Sequence, residues 1–146
     1  MIRKIRLISN NVCYGLMPKP DQEVEQRLTI CSDGRAWLSR YCYGTGFQYK
    51  FMSKKTINIG KDKAAEILAA IELRFESGFI PDFCTDIGSW NLNIFFEDGN
   101  ELSCAGSLGS DDRIEEMKIS RKIRDALGIH DLYAFDGNYD DESDQE

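Results

Sequence analysis

Asp136, Asn138 and Asp140 stand two residues apart, the spacing of the first three ligands in an EF-hand calcium loop. The match stops there. The sixth position, where the sharp turn needs glycine, is Asp141, and the twelfth, where a bidentate Glu belongs, falls past Glu146. His130 is the only histidine, so one chain cannot supply a His-rich metal site, and any Ser–His or Cys–His pair must use it. Its place just past Gly128 suits a structural or exposed side chain. Asp82, Asp86 and Glu97 could serve carboxylate chemistry, but no spacing fixes their geometry, and turn or loop roles are simpler. The stretches YGTGF and GSLGSDD lack the glycine pattern of a nucleotide-phosphate loop, and the second sets two acids where a phosphate would sit. Cys13, Cys31, Cys42, Cys84 and Cys104 are odd in number and contain no C-x-x-C pair, which disfavours a disulfide framework and a zinc knuckle. The expectation is therefore no catalytic residue, no cofactor site and no metal site.

One basic segment remains. YKFMSKKTINIGKDK carries Lys50, Lys54, Lys55, Lys61 and Lys63 against Asp62 alone. Tyr41, Tyr43, Phe47, Tyr49 and Phe51 precede it or interleave with it. Lysines beside aromatics on a sheet can bind single-stranded nucleic acid by phosphate pairing and base stacking. The simpler reading is an edge strand that lysines guard against aggregation.

The elements that must carry these residues are legible. In WNLNIFFEDGNELSCAGSL, Trp90, Leu92, Ile94 and Phe96 alternate with Asn91, Asn93, Phe95 and Glu97, the period of a half-buried strand. Asp98-Gly99 predicts a two-residue type I′ turn, which sets Phe96 opposite Glu101 and Ile94 opposite Ser103. A second hairpin turns at Asp33-Gly34. The same turn geometry there puts Leu28, Ile30, Trp37 and Tyr41 on one face and Thr29, Cys31, Ala36 and Leu38 on the other, so both faces read as apolar. Further strands are expected at Lys4–Ser9 and Tyr49–Ile59. Ala64, Ile67, Leu68, Ile71 and Phe75 form one helical stripe, with Asn58 or Asp62 as its cap and Gly78 as its stop. A second helix ends at Gly128, with Ser120 as one candidate N-cap; Ile114, Met117, Ile119 and Ile123 hold no single face, so the pattern leaves open a reach back to Asp111. The fold class is α+β: a mainly antiparallel sheet built from hairpins, with two helices packed mainly on one face.

The chain has 146 residues, 42% of them hydrophobic, which suits one soluble domain. Its net charge of −7 is unevenly placed. Residues 1–130 balance 18 Lys and Arg with 18 acids, and the other seven acids lie in residues 131–146. Residues 1–138 are expected to form the domain and 139–146 an acidic disordered tail. No apolar run approaches the roughly 20 residues of a membrane span, and the first residues hold no signal-like apolar stretch.

Taken together, RLTICSDGRAWLSRY, TDIGSWNLNIFFEDG, GSL and IRDALGIHDLYAFDGN resemble an uncharacterised family of small Firmicute-type bacterial proteins over about residues 22–138. The resemblance implies a bacterial cytoplasmic setting, carries over no catalytic residue, and makes this chain look like a short member. The functional expectation is a non-enzymatic domain that binds a protein partner, as immunity proteins and inhibitors do, including anti-defence and anti-CRISPR proteins. The alternatives are a nucleic-acid-binding domain using the Lys50–Lys63 segment, or a small enzyme of unknown chemistry.

Overall fold

The computed structural model describes residues 1–12, 18–44, 49–75, 88–108 and 114–135. Strands β1 (Ile2–Asn10), β2 (Glu23–Cys31), β3 (Arg35–Cys42) and β4 (Lys50–Asn58) precede helix α1 (Lys61–Phe75). Strands β5 (Ser89–Phe96) and β6 (Glu101–Ser107) and helix α2 (Ile114–Leu127) follow. They form one six-stranded sheet in the order β4-β3-β2-β1-β5-β6, with every neighbouring pair antiparallel. The fold class is the α+β arrangement read from the sequence. β1 is central because its alternating Ile5 and Leu7 have apolar partners on both sides. Ile5 sits between Ile30 and Ile94, and Leu7 between Leu28 and Leu92. Ala36 and Leu38 extend these two rows into β3.

This register corrects both expected hairpins. Cys31 O accepts from Gly34 N–H at 3.0 Å and Phe96 O from Gly99 N–H at 3.1 Å, so each turn is centred one residue earlier than expected. Only the glycine takes positive φ, 98° at Gly34 and 93° at Gly99, which makes a type I turn followed by a left-handed residue. Asp33 Oδ1 accepts from Arg35 N–H at 3.0 Å, and Asp98 Oδ1 from Asn100 N–H at 2.9 Å. Each aspartate thus bridges its glycine and holds this turn rather than the type I′ form. The pairs become Ile94 with Leu102 and Phe95 with Glu101, not Ile94 with Ser103. In the first hairpin Leu28 pairs with Leu38 and Ile30 with Ala36, so Trp37 and Tyr41 fall on the face away from Leu28 and Ile30. A one-residue shift exchanges the faces of a strand relative to its partner, and here it gathers Leu28, Ile30, Ala36 and Leu38 on one side of β2 and β3 and leaves Thr29, Trp37 and Tyr41 on the other.

Both helices lie on the Ile5/Leu7 side. α1 buries Ala64, Ile67, Leu68, Ile71 and Phe75, the expected stripe, and touches both β1 and α2. Burying each large apolar side chain is worth about 1.5–3 kcal/mol. Its cap differs from the expectation: Gly60 O accepts the first helical bond from Ala64 N–H at 3.1 Å, while Asn58 Oδ1 accepts from Gly60 N–H at 2.9 Å. Gly78 and residues 139–146 lie outside the described residues. α2 ends before Gly128 as expected but starts at Ile114, so Ser120 is not its cap. Ser120 is fully buried inside the helix because its Oγ has a tertiary role, accepting from Phe135 N–H at 3.0 Å.

That contact belongs to a set anchoring residues 129–135, which run back across the helix side of the sheet without forming a strand. Ser9 Oγ donates to Ala134 O at 2.6 Å, and Arg124 Nε donates to Leu132 O at 2.8 Å. Buried Gln26 accepts from Tyr133 N–H at 2.7 Å and donates to Asp131 O at 2.9 Å. Side chains from sheet and helix therefore satisfy a backbone that has no ladder of its own. Arg40 clamps Asp131 at 2.8 Å and Glu23 at 3.0 Å. Phe135 then closes an aromatic cluster, its ring 4.8 Å from Trp90 and 5.8 Å from Phe75.

Trp90 can lie flat over β6 only because Gly106 has no side chain: a Cβ there would come within 2.6 Å of the indole. Gly106→Ala should therefore destabilise by about 1–3 kcal/mol, as overpacking does. Trp90→Phe should cost less in the Gly106→Ala background than alone, and urea midpoints of the four proteins measure that coupling. Strict additivity would mean that the two positions do not meet.

Hydrogen bonding from Arg40 holds the Asp131 carboxyl below its ordinary value. A depressed folded value adds stability above the unfolded value of about 3.9, and this is lost as pH falls through the lower folded value. The Asp131 side chain is 67% exposed, so screening limits the effect to about 1 kcal/mol. The stability gap between wild type and Asp131→Asn should accordingly narrow between about pH 5 and pH 2 in urea titrations. A gap of constant size would rule out this ion pair as its source.

Candidate functional site

Helices and the 129–135 segment occupy one side of the sheet, and no described element covers the other. Strand alternation arranges that open face in rows. One runs Thr56–Trp37–Thr29–Arg6–Asn93–Ser103, and the next Lys54–Ser39–Arg27–Ile8–Asn91–Ala105. A third begins Phe51–Tyr41–Glu25–Asn10, beyond a bulge at Arg40/Tyr41 between β3 and β4. Toward the opposite strand ends Lys4 lies beside Phe95 and Phe95 beside Glu101.

Aromatic rings and cations are interleaved here. The Arg27 guanidinium carbon lies 4.3 Å from the Tyr41 ring centroid, and Arg27 Nε donates to Glu25 at 2.7 Å. Tyr41 meets Phe51 edge to face at 5.8 Å. Lys54 Nζ lies 5.7 Å from the Trp37 ring and Lys4 Nζ 4.9 Å from the Phe95 ring. Asn10 donates to Glu25 at 3.1 Å and to the Tyr49 hydroxyl at 3.0 Å, extending the cluster to the strand ends. Glu25 is thus held by both Arg27 and Asn10. Phe51 is 55% exposed, the largest ring so open among the described residues, and Trp37 is half-buried. Lys4, Arg6, Arg27 and Lys54 outnumber Glu25 and Glu101, so the face is weakly positive. Apart from Ile8, the remaining positions of the three rows are Ser, Thr, Asn and Ala.

The five lysines singled out from the sequence do not form one patch. Lys50, Lys54 and Lys55 lie on the outer edge strand β4, with Lys61 and Lys63 at the start of α1. Alternation separates Lys54, on the open face, from Lys55, which pairs with Leu38 on the helix side. Lys61 lines an open depression of about 520 Å³ among Asp33, Asp62, Glu72 and Glu97, and Lys63 a groove with Lys122 between the helices. Missing from the sequence reading are Lys4, Arg6, Arg27, Trp37 and Phe95. For Arg27 and Trp37 the signal is the turn, since placing glycine after a type I turn puts them on one face with Tyr41; Lys4, Arg6 and Phe95 are signalled by their alternation with buried Ile5, Leu7 and Ile94.

The other candidates are scattered. His130 is exposed in the turn after α2, and Glu97 sits in the β5–β6 turn with its N–H donating to Met1 O at 2.9 Å. Asp82, Asp86 and the Asp136–Asp140 spacing lie outside the described residues, as do most of YGTGF and the end of GSLGSDD. Among the described residues no three His, Cys, Asp or Glu side chains gather as a metal site requires. No described helix is long and apolar enough to cross a membrane. In comparisons with known proteins, no family matches the chain and no curated protein matches it.

The two tryptophans report on opposite environments, since Trp90 is 1% exposed and Trp37 belongs to the open face. Acrylamide should quench Trp37 strongly and Trp90 weakly. Trp37→Phe should leave a blue-shifted, poorly quenched emission, and Trp90→Phe a red-shifted, readily quenched one. The reverse assignment would contradict the register given above.

Proposed function

We propose that this protein is a non-enzymatic binding domain that engages another macromolecule across the open face of its sheet, with the β3–β4 half as the main contact area. The observation that carries this reading is the Trp37, Tyr41, Phe51, Arg27 and Lys54 cluster. Rings and long cations lie next to one another on a rigid sheet with no described element over them. Planar side chains lose little conformational freedom on binding, and arginine and aromatic residues carry much of the energy of binding surfaces. The polar groups on the helix side act differently. Ser9, Gln26, Ser120 and Arg124 are committed to holding residues 129–135, so the conspicuous buried polar cluster is structural. A bacterial cytoplasmic setting is part of the same proposal and follows from the sequence resemblance.

The test places a photo-crosslinking amino acid at position 37 or at position 73, in full-length protein made in its native cells. Leu73 is 76% exposed on α1, on the helix side of the sheet, and serves as the comparison. Macromolecular adducts at position 37 and few at position 73 are expected. Adducts confined to position 73 would place the contact surface on the helices and defeat the proposal.

A further inference from the structure

We infer that the macromolecule bound by the open face is single-stranded nucleic acid. This rests on the open-face reading above and specifies its partner. Three features of the face select this chemistry over a protein partner. The first is its composition. A protein-binding patch usually has an apolar core depleted of lysine, whereas Ile8 is the one large aliphatic side chain in the three rows and Ser, Thr and Asn fill most positions between the rings. The second is the pairing of rings with cations. Tyr41 with Arg27, Trp37 with Lys54 and Phe95 with Lys4 each join a planar surface to a positive charge. A nucleotide presents the complementary pair, a flat base and an anionic phosphate, and sheet-borne aromatics stack unpaired bases in this way. The third is access. Bases in a duplex are already stacked and cannot reach the rings, so the surface favours a single strand.

Roles follow from position. Phe51 and Trp37 offer stacking surfaces on the edge strand β4 and its neighbour β3. Arg27 is held by Tyr41 and Glu25 yet its side chain is 47% exposed, so it is a pre-oriented phosphate or base partner. Lys54, Arg6 and Lys4 supply further phosphate contacts across β4 and β1. Asn91 and Asn93 lie in the same rows and can hydrogen-bond base edges, Asn93 already accepting from Ser103 Oγ at 2.8 Å. Lys55 is adjacent in sequence to Lys54 but on the other side of the sheet, and the inference gives it no part.

The experiment uses full-length protein with fluorescein-labelled 20-mers of thymidylate and uridylate, read by polarisation at several salt concentrations, with a 20-base-pair duplex as comparison. Both single strands should bind, and the duplex at least about tenfold more weakly. Preference between the two distinguishes DNA from RNA as the source. Log affinity against log salt should slope at about −2 to −3, because each neutralised phosphate contributes roughly −0.7 on a single strand. Lys54→Gln should make the slope shallower by about 0.7, and Lys55→Gln should leave it unchanged. Phe51→Ala and Trp37→Ala should each weaken binding by about tenfold, within the range of one lost stacking contact. Phe51→Ala is the safer variant because its ring is exposed, and an unchanged thermal melt confirms that it folds. No polarisation change at low salt would overturn the inference. If position 37 still crosslinked to a protein, the open-face reading would survive with a different partner. Binding that tracked Lys55 rather than Lys54, or that ignored Phe51 and Trp37, would also overturn it.

Discussion

Gly34 and Gly99 each take a left-handed conformation one residue after a type I turn, and the pairing of four strands follows from that. Side chains alternate along a strand, so the residue at which the chain reverses determines which of two sets meets the helices. With the turn as it stands, Leu28, Leu38, Leu7 and Leu92 align in one row across four strands, and Ile30, Ala36, Ile5 and Ile94 in the next. One residue earlier or later, Trp37 would face the helices and Leu38 the solvent. The aspartate before each glycine takes part in the constraint through its bond across the turn. Asp-Gly is thus a two-residue device: the glycine accepts the unusual φ, and the carboxylate holds the next residue in place.

The two sides of the sheet are consequently built for different purposes. On the helix side, apolar rows give way near Ser9 to a polar row of Ser9, Gln26 and Arg40, where residues 129–135 are bound by side chains instead of by a neighbouring strand. This is an economical way to close a core with irregular backbone, since each buried amide or carbonyl left unpaired would cost about 1–3 kcal/mol. Phe135 gains its place against Trp90 and Phe75 because that polar row positions the chain leading to it.

On the open side, no described helix or strand covers Trp37, Tyr41 and Phe51, whose contacts lie within the sheet, Tyr41 with Phe51 and Arg27 and Trp37 with Lys54. Arginine and lysine near these rings keep the surface wet and limit edge-to-edge association, which the exposed β4 strand would otherwise invite. The same side chains create a weakly positive face on a chain whose formal charge is −7. These facts do not conflict, because residues 1–130 are balanced and the excess acid lies in residues 131–146. A field screened over about 10 Å at 0.1 M salt lets local charge on the sheet act with substantial independence of distant carboxylates.

Much of the architecture was legible in the sequence because it rests on local periodicity. Alternation at Trp90–Phe96 identified a strand and its buried row, and the Ala64–Phe75 stripe identified α1, since each pattern reports burial within a single element. The sequence likewise placed Lys54 and Phe51 on one edge strand. It did not reveal the N-terminal reach of α2, because Ser120 looks like a cap until Phe135 is seen to use its hydroxyl. Nor did it reveal the face to which Trp37 and Tyr41 belong. Asp-Gly is compatible with two turns that differ by one residue of register, and only the assembled rows of leucine and isoleucine across β1, β2, β3 and β5 select one of them. The candidate surface therefore belongs to the tertiary structure. Its rings and cations come from five strands, and they become neighbours only when the sheet has formed.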